Sequence, residues 1–277
     1  MRLRLAIASL VAVALVGCSF LISEDFAAED SPPPDEAGAV DTTASADTGP
    51  SIPDVVTEDG GADADADAAL DPSLLAYWTF DHGPTTLQRD ETNRYDLNTT
   101  GATIDPTGGV RGGAIVFAGS TGPQVDALSG VSFPKKGTLA MWFTHNFPDA
   151  DTSSQALFDD WDDERSHLFF RRIGSDAPGR IQVALQPKVT SSSYAWAFGF
   201  DVQKGVWAHA ILTWDSTARI AALYVDGTAR KVAGFGTGEN FDPSDQQFRL
   251  SAGWVGAIDE VRLYDRVLPE AEALLVP

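Results

Sequence analysis

The sequence predicts an all-β domain of two packed antiparallel sheets, preceded by a disordered tether. About ten short apolar runs of strand length follow residue 73. Glycine-rich turns separate these runs, as at Gly112-Gly113 and Asp226-Gly227. No long segment before residue 268 has helical periodicity. Many short strands with almost no helix indicate a sandwich of two antiparallel sheets.

The strands are predicted from runs in which apolar or aromatic residues alternate with other residues or occupy every position. The Asp226-Gly227 pair predicts a hairpin, because these residues tolerate the positive φ angles of a tight primed turn. Leu268–Leu275 is predicted as a short terminal helix, since Pro269 and acidic residues suit a helix N-terminus. The predicted strands are Leu75–Phe80, Thr138–Phe143, His167–Arg172, Arg180–Leu185, Trp207–Trp214, Ile220–Val225, Phe248–Ala252 and Gly256–Tyr264.

Residues 19–72 are predicted to form the disordered, acidic tether. Fifteen Asp and Glu residues lie between Glu24 and Asp71, and no Lys or Arg occurs between Leu5 and Arg89. A segment rich in Ala, Asp, Pro, Thr and Gly buries too little apolar area to offset its ordering entropy. The alternating Asp residues at 63, 65 and 67 lack the glycine turn and closing Glu of a calcium loop.

Residues 1–18 are predicted to be an export signal. Arg2 and Arg4 precede an uncharged apolar run over residues 5–16, which is too short to span a bilayer. The run ends in Leu15-Val16-Gly17-Cys18, which resembles the bacterial lipobox. The resemblance implies cleavage before Cys18, lipidation of its sulfur and anchoring to the outer membrane, because serine rather than aspartate follows the cysteine. The alternative is an ordinary secretory signal with a chance cysteine.

Composition limits the partners of the remaining domain. The formal net charge is −21, and about −8 remains once the tether acids and the two signal arginines are removed. No basic cluster exceeds Lys135-Lys136 and Arg171-Arg172, so a nucleic-acid partner is not expected. Cys18 is the single cysteine, so no disulfide within the chain is possible and the core must hold the fold.

Residues 73–277 resemble the laminin G-like, concanavalin A-like jelly-roll domains of the lectin and glucanase superfamily. The resemblance rests on several segments in their order and spacing, and it covers nearly all of the domain. It implies a jelly-roll sandwich and a binding function. The segments are residues 77–81, 90–101, 112–117, 139–143, 207–215, 223–227 and 256–265.

The resemblance also implies one structural calcium ion at the rim of the sandwich. The candidate ligands are Asp81, Asp90 and Asp259, which the family fold would bring together from the opening and closing strands. Carboxylates and backbone carbonyls are the oxygen ligands that calcium prefers. The alternative is that Asp81 caps a turn and that Asp259 pairs with Arg262 or another base.

Three aromatic residues are candidates for ligand binding. Trp161 lies in an acidic loop between two predicted strands, where an aromatic ring can stack on a sugar or pack against the loop. Tyr194 and Trp196 follow a serine-rich loop and are expected to line the same face. By contrast, Trp142 and His209 lie within apolar strands and are expected to be buried.

No catalytic motif supports an enzyme. The glycoside hydrolases that share this fold place two acids on one face of a strand, whereas Asp259 and Glu260 are adjacent. The sequence therefore predicts a lipid-anchored binding module of the cell envelope, with a carbohydrate or envelope polymer as its partner. The alternatives are a protein adhesion or assembly module and a hydrolase of unrecognised type.

Overall fold

The computed structural model describes residues 70–119, 125–127, 130–158, 166–174, 179–187, 194–235, 241–250 and 253–277. The predicted signal, Cys18, nearly all of the tether and Trp161 lie outside these residues. The described residues form sixteen strands and one short α-helix. The elements are β1 (Leu74–Trp78), β2 (Leu87–Gln88), β3 (Leu97–Asn98), β4 (Thr103–Asp105), β5 (Ala114–Ala118), β6 (Val125–Ala127), β7 (Lys136–Phe143), β8 (Gln155–Phe158), β9 (His167–Arg172), β10 (Arg180–Gln186), β11 (Trp196–Asp201), β12 (Ala208–Asp215), β13 (Ile220–Val225), β14 (Thr228–Gly234), β15 (Arg249–Leu250), β16 (Val255–Tyr264) and α1 (Glu270–Ala273).

The strands form two eight-stranded antiparallel sheets, which confirms the predicted sandwich. Sheet I has the order β14-β13-β12-β7-β16-β5-β4, and β1 also pairs with β16. Sheet II has the order β11-β10-β9-β8-β15-β6-β3-β2. Neighbours in space are often distant in sequence, as where β7 pairs with both β12 and β16. The inner faces of the two sheets pack on each other, and each outer face points away.

The core between the sheets contains large aromatic side chains. Trp78, Trp214 and Trp254 are fully buried, and the Trp78 ring stacks on Phe248 with centroids 4.8 Å apart. The indole N–H of each of these three residues donates to a backbone carbonyl; Trp214 Nε1, for example, donates to Pro134 O at 2.8 Å. Burial of these rings therefore leaves no indole donor unsatisfied.

Trp142 is not buried between the sheets, so the expectation from the sequence is wrong. In β7, Leu139, Met141 and Phe143 join the inner core, so Trp142 lies on the outer face and is only partly buried. Its ring stacks on His209 of β12 with centroids 4.7 Å apart and an interplanar angle of 13°. His209 is buried as expected, and its Nε2 has no hydrogen-bond partner among the described residues. This burial lowers the pKa of His209 to about 4, helped by the nearby Arg262 charge.

Strand β16 contains a bulge that separates two adjacent acids. Its pairing with β7 shifts between Asp259 and Arg262, and Glu260 has a φ of 54°. Glu260 Oε2 accepts hydrogen bonds from Tyr77 Oη at 2.8 Å and from Arg262 Nη2 at 2.5 Å. Arg262 thus balances the charge of the buried Glu260. Glu260, and not Asp259 as one alternative had it, is the carboxylate partner of Arg262.

The two ends of the domain are joined on the outer side of sheet I. Arg266 Nη2 donates to Asp71 Oδ2 at 2.7 Å, and its Nη1 lies 2.7 Å from Glu272 Oε2. These contacts link the chain before β1 to α1. Leu268 and Ala273 pack against the outer face of sheet I, and the carboxylate partners of Arg266 fix this terminal segment. We call this cluster of Asp71, Arg266 and Glu272 the terminal clasp.

No helix within the described ranges is both long enough and apolar enough to cross a bilayer.

Candidate functional site

An exposed tyrosine lies over the outer face of sheet II. Tyr194 immediately precedes β11, and 38% of its surface is exposed. Its ring meets Phe169 of β9 edge to face, with centroids 5.5 Å apart and an interplanar angle of 69°. Phe169 is buried beneath it. This packing holds the Tyr194 ring in one orientation while one part remains open to solvent.

The side chain of Arg171 completes this aromatic pair. Its guanidinium carbon lies 4.8 Å from the Phe169 ring centroid and 6.0 Å from that of Tyr194. Nη2 donates to Tyr194 Oη at 2.8 Å, and Nε donates to Gln182 Oε1 at 2.9 Å. Arg171 and Gln182 are direct cross-strand partners on β9 and β10. We call Phe169, Arg171, Gln182 and Tyr194 the Tyr194 platform.

Small residues lie next to the platform on the same outer face. Gln182 pairs with Gly199 of β11, and Ala184 pairs with Ala197. A side chain at Gly199 would come within 3.1 Å of the Arg180 guanidinium, which lies across that glycine. Arg180 Nη1 is 3.8 Å from Asp201 Oδ2. The face therefore combines an exposed aromatic ring, hydrogen-bonding groups and small residues that leave space above the sheet. This combination suits an extended polar ligand.

Trp196 does not share the platform with Tyr194. Only 3% of its surface is exposed, and it packs within the core between the sheets. Lys231 Nζ lies 5.3 Å from its ring centroid and donates to Ala197 O at 2.9 Å. The two aromatics separate because Tyr194 precedes the strand, so the alternation of faces within β11 does not extend to it. Trp161, the third candidate, lies outside the described residues.

Of the three predicted calcium ligands, Asp90 has a different environment from the other two. It is fully buried, and its carboxylate accepts hydrogen bonds from backbone N–H groups on both sides of the turn that it begins. The donors and their distances are Tyr77 N at 2.8 Å, Thr92 N at 3.0 Å, Arg94 N at 3.0 Å and Tyr95 N at 2.9 Å. The Thr92 hydroxyl donates as well. Asp90 therefore organises a turn, and its oxygens are already occupied.

Asp81 and Asp259 face one glycine-rich loop between β4 and β5. Asp81 Oδ1 accepts from Gly113 N at 2.6 Å, and Asp259 Oδ2 accepts from Arg111 N at 3.1 Å. A Cβ on Gly112 would lie 2.1 Å from Asp81 Oδ1, and one on Gly109 would lie 2.6 Å from Asp259 Oδ2. Glycine is needed at both positions for the loop to approach the two carboxylates.

Asp259 is fully buried, whereas Asp81 is exposed. Burial raises the pKa of Asp259 to about 6. No ion pair to this carboxylate occurs within the part of the chain that the structure describes. No cluster of three or more His, Cys, Asp or Glu side chains suited to a metal occurs there either. Two carboxylates alone supply only part of the six to eight oxygens that calcium requires, so the remaining ligands of such a site would have to be backbone oxygens and water.

Sequence reasoning missed Arg171 and Gln182. In the sequence, Arg171 stands out only as half of a short basic pair, Arg171-Arg172. A signal was present, because Phe169 and Arg171 are two positions apart in a predicted strand and so share a face. Their contact with Tyr194 depends on the long-range pairing of β9, β10 and β11, which no local pattern specifies.

Comparisons with known proteins agree on the fold. Domain 4 of AbnA, an extracellular arabinanase from Geobacillus stearothermophilus in complex with arabinotriose, is 16% identical with a TM-score of 0.54; the match covers 74% of this chain and 98% of that domain. The binding domain of Paraclostridial Mosquitocidal Protein 1 is 12% identical with a TM-score of 0.58, over 73% of this chain and 51% of that one. The receptor-binding domain of botulinum neurotoxin type G is also 12% identical, with a TM-score of 0.56, over 73% of this chain and 50% of that one.

The match thus spans about half the length of the two toxin domains. No match was found among the curated proteins. A laminin G family model, described as "Concanavalin A-like lectin/glucanases superfamily", matches residues 117–273. This is more than half of the chain and includes β7 to β16, the strands that build the centre of both sheets. The chain therefore belongs to the concanavalin A-like lectin/glucanases superfamily.

Proposed function

We propose that this protein is a carbohydrate-binding module of the bacterial cell envelope. The observation that carries the proposal is the Tyr194 platform, where an exposed ring is fixed by Phe169 and bordered by side chains that can bond to sugar hydroxyls. Aromatic rings with adjacent polar groups are the usual elements of such sites. A domain of similar fold binds arabinotriose in an arabinanase, which supports this ligand class.

A glycan and envelope-polysaccharide array tests the proposal with the full-length chain in a nonionic detergent. We expect binding to one class of glycan, and Tyr194→Ala should lower the affinity about 10-fold or more, as for a central aromatic contact. Tyr194→Phe is the matched control, because it keeps the ring and removes only the hydroxyl that accepts from Arg171. Absence of glycan binding by a folded chain would contradict the proposal, as would unchanged binding by Tyr194→Ala.

We propose binding rather than catalysis at this fold. A retaining glycosidase needs two carboxyl groups about 5–5.5 Å apart on one face. Glu260 is instead held by Arg262 and Tyr77, and Asp259 faces the loop that contains Arg111. Release of reducing sugar from a bound glycan, lost in Glu260→Gln, would contradict this part of the proposal.

We propose that Cys18 carries a lipid that anchors the chain to the outer membrane. The basic start, the short apolar run and the Leu15–Cys18 tetrapeptide support this. Cys18→Ser should move the protein from the membrane fraction to the soluble fraction of export-competent cells, without changing the melting curve of the domain. If the variant remains in the membrane fraction, the anchor lies elsewhere.

We also propose that one calcium ion binds at Asp81 and Asp259 beside the loop of residues 108–113. The Asp259 carboxylate is buried and has no ion-pair partner among the described residues, and this supports a cation there. Calcium would supply the counter-charge that holds this rim loop on the sandwich. Calcium should raise the melting temperature of the wild type but not of Asp259→Asn, and an equal response of both proteins would exclude this site.

A second candidate function is protein docking at the free edge of sheet I. Among the described strands, β14 ends that sheet and pairs with β13 alone. Val232 on β14 is 56% exposed and Ile220 on β13 is 43% exposed. An open edge with apolar side chains can pair with a strand of a partner. Cross-linking in intact envelopes, compared between wild type and Val232→Asp, tests it; a cross-linked product that is lost only in the variant favours docking.

A further inference from the structure

The Tyr194 platform contains a guanidinium, that of Arg171, which pairs with no carboxylate among the described residues. Both of its hydrogen bonds go to neutral acceptors, the Gln182 amide oxygen and the Tyr194 hydroxyl. No carboxylate forms an ion pair with it within the described ranges, whereas Arg262 pairs with Glu260 and Arg266 pairs with both Asp71 and Glu272. An arginine carries five N–H donors in a planar fork, so several donors of Arg171 remain for a ligand.

The platform also fixes the direction in which those donors point. The guanidinium lies against the Phe169 ring, and two hydrogen bonds to different elements restrict its rotation. A side chain held in this way loses little conformational entropy when it binds. A fixed planar fork matches a planar carboxylate, which accepts two parallel hydrogen bonds.

A second guanidinium lies on the same outer face. Arg180 is two residues before Gln182 on β10, and its guanidinium extends across Gly199. Arg180 pairs with Asp201 at 3.8 Å, so its charge is at least partly balanced. Arg171 therefore carries the argument for a negatively charged ligand, and Arg180 only borders the small residues of this face.

We infer that the Tyr194 platform binds a carbohydrate that carries a carboxylate, with Arg171 as the residue that recognises the negative charge. This inference rests on the proposed function and specifies its ligand class. The sugar ring stacks on the exposed part of Tyr194, and its carboxylate meets the free donors of Arg171. Because the whole chain is negative and repels polyanions at long range, such binding depends on this local contact rather than on general attraction.

The test compares two polymers with the same sugar backbone, polygalacturonate and its fully methyl-esterified form, in which each carboxylate is replaced by a neutral ester. Binding of the full-length chain in nonionic detergent is measured by biolayer interferometry at fixed ionic strength. We expect polygalacturonate to bind about 10-fold or more tightly than the ester, the usual effect of a charge-assisted hydrogen bond. Arg171→Gln should remove this preference. Arg230→Gln, at an exposed arginine on β14 with the same loss of charge, should leave it intact.

Each outcome separates the inference from the function on which it rests. Equal binding of both polymers, lost in Tyr194→Ala, keeps the glycan function and overturns the inference. Binding of neither polymer nor any other glycan overturns both. Equal losses of affinity for polygalacturonate in Arg171→Gln and Arg230→Gln would indicate general polyanion attraction. Binding of dextran sulfate as tightly as polygalacturonate would indicate the same, and either result would also overturn the inference. If Arg171→Gln fails to fold, Arg171→Lys serves instead; it keeps the charge but should lose much of the preference, because it lacks the planar fork.

Discussion

Removal of the Asp90 carboxylate is expected to destabilise the domain strongly, with no dependence on calcium. Asp90→Ala leaves four buried or partly buried backbone N–H groups and one hydroxyl without their acceptor. A hydrogen bond to a charged group is worth roughly 1.5–3 kcal/mol, but water reaching the turn recovers part of that. We therefore expect a loss of about 3–5 kcal/mol in the free energy of unfolding.

Urea unfolding followed by tryptophan fluorescence measures this loss, once in calcium and once in EDTA. Asp105→Ala is the matched control, since that exposed carboxylate caps a similar turn through Thr107 N at 3.0 Å; it should cost less than about 1 kcal/mol. The stability of Asp90→Asn should lie between those of wild type and Asp90→Ala, because the amide oxygen still accepts hydrogen bonds. A loss for Asp90→Ala that is large in calcium and small in EDTA would show that Asp90 is a metal ligand and would refute this reasoning.

The remaining predictions concern burial, backbone conformation and pH. The pKa of His209 is lowered to about 4 from an unfolded value of 6.5, so the unfolded state takes up a proton first as the pH falls. The free energy of unfolding should be at its full value above pH 6.5 and should fall by up to about 3 kcal/mol as the pH drops towards 4. His209→Phe should flatten this part of a curve of stability against pH. Trp78→Ala, in the core, should cost about 3–5 kcal/mol and Trp142→Ala, on the outer face, clearly less, as measured by urea unfolding; equal losses would contradict the assignment of faces. Gly112→Ala should lower the melting temperature, because Gly112 has a φ of 58° and a Cβ there would strike Asp81; an unchanged value would mean that the loop can move away.

The sequence was sufficient to predict the long strands, because their patterns are local. Predicted Ile220–Val225 coincides with β13, and Arg180–Leu185 falls one residue short of β10. The hairpin at Asp226-Gly227 forms with both φ angles positive, 51° and 71°. Each of these segments carries apolar alternation or a turn dipeptide that has few conformational alternatives. The shortest strands, such as β2 and β3 with two residues each, carry no such pattern and form only because neighbouring strands pair with them.

The faces of aromatic residues could not be predicted as well. In the run Thr138–Phe143 nearly every side chain is apolar, so alternation does not distinguish Trp142 from its neighbours. Tyr194 and Trp196 are two positions apart and would share a face in a continuous strand, but β11 begins only at Trp196. The Tyr194 platform itself joins β9, β10 and the residue before β11, so it exists only once sheet II is assembled.

The terminal clasp has a mechanical consequence. If a ligand pulls on the domain while the preceding chain is held, tension enters at Asp71 and reaches the fold through Arg266 before it reaches β1. Strand β1 pairs with β16, and β16 is also hydrogen-bonded to β5 and β7. Force applied at this end is therefore shared by an ion pair and by the longest strand of the sandwich. The domain is attached where its sheet is most extensively connected, so a load would be spread over three neighbouring strands before any one of them is peeled away.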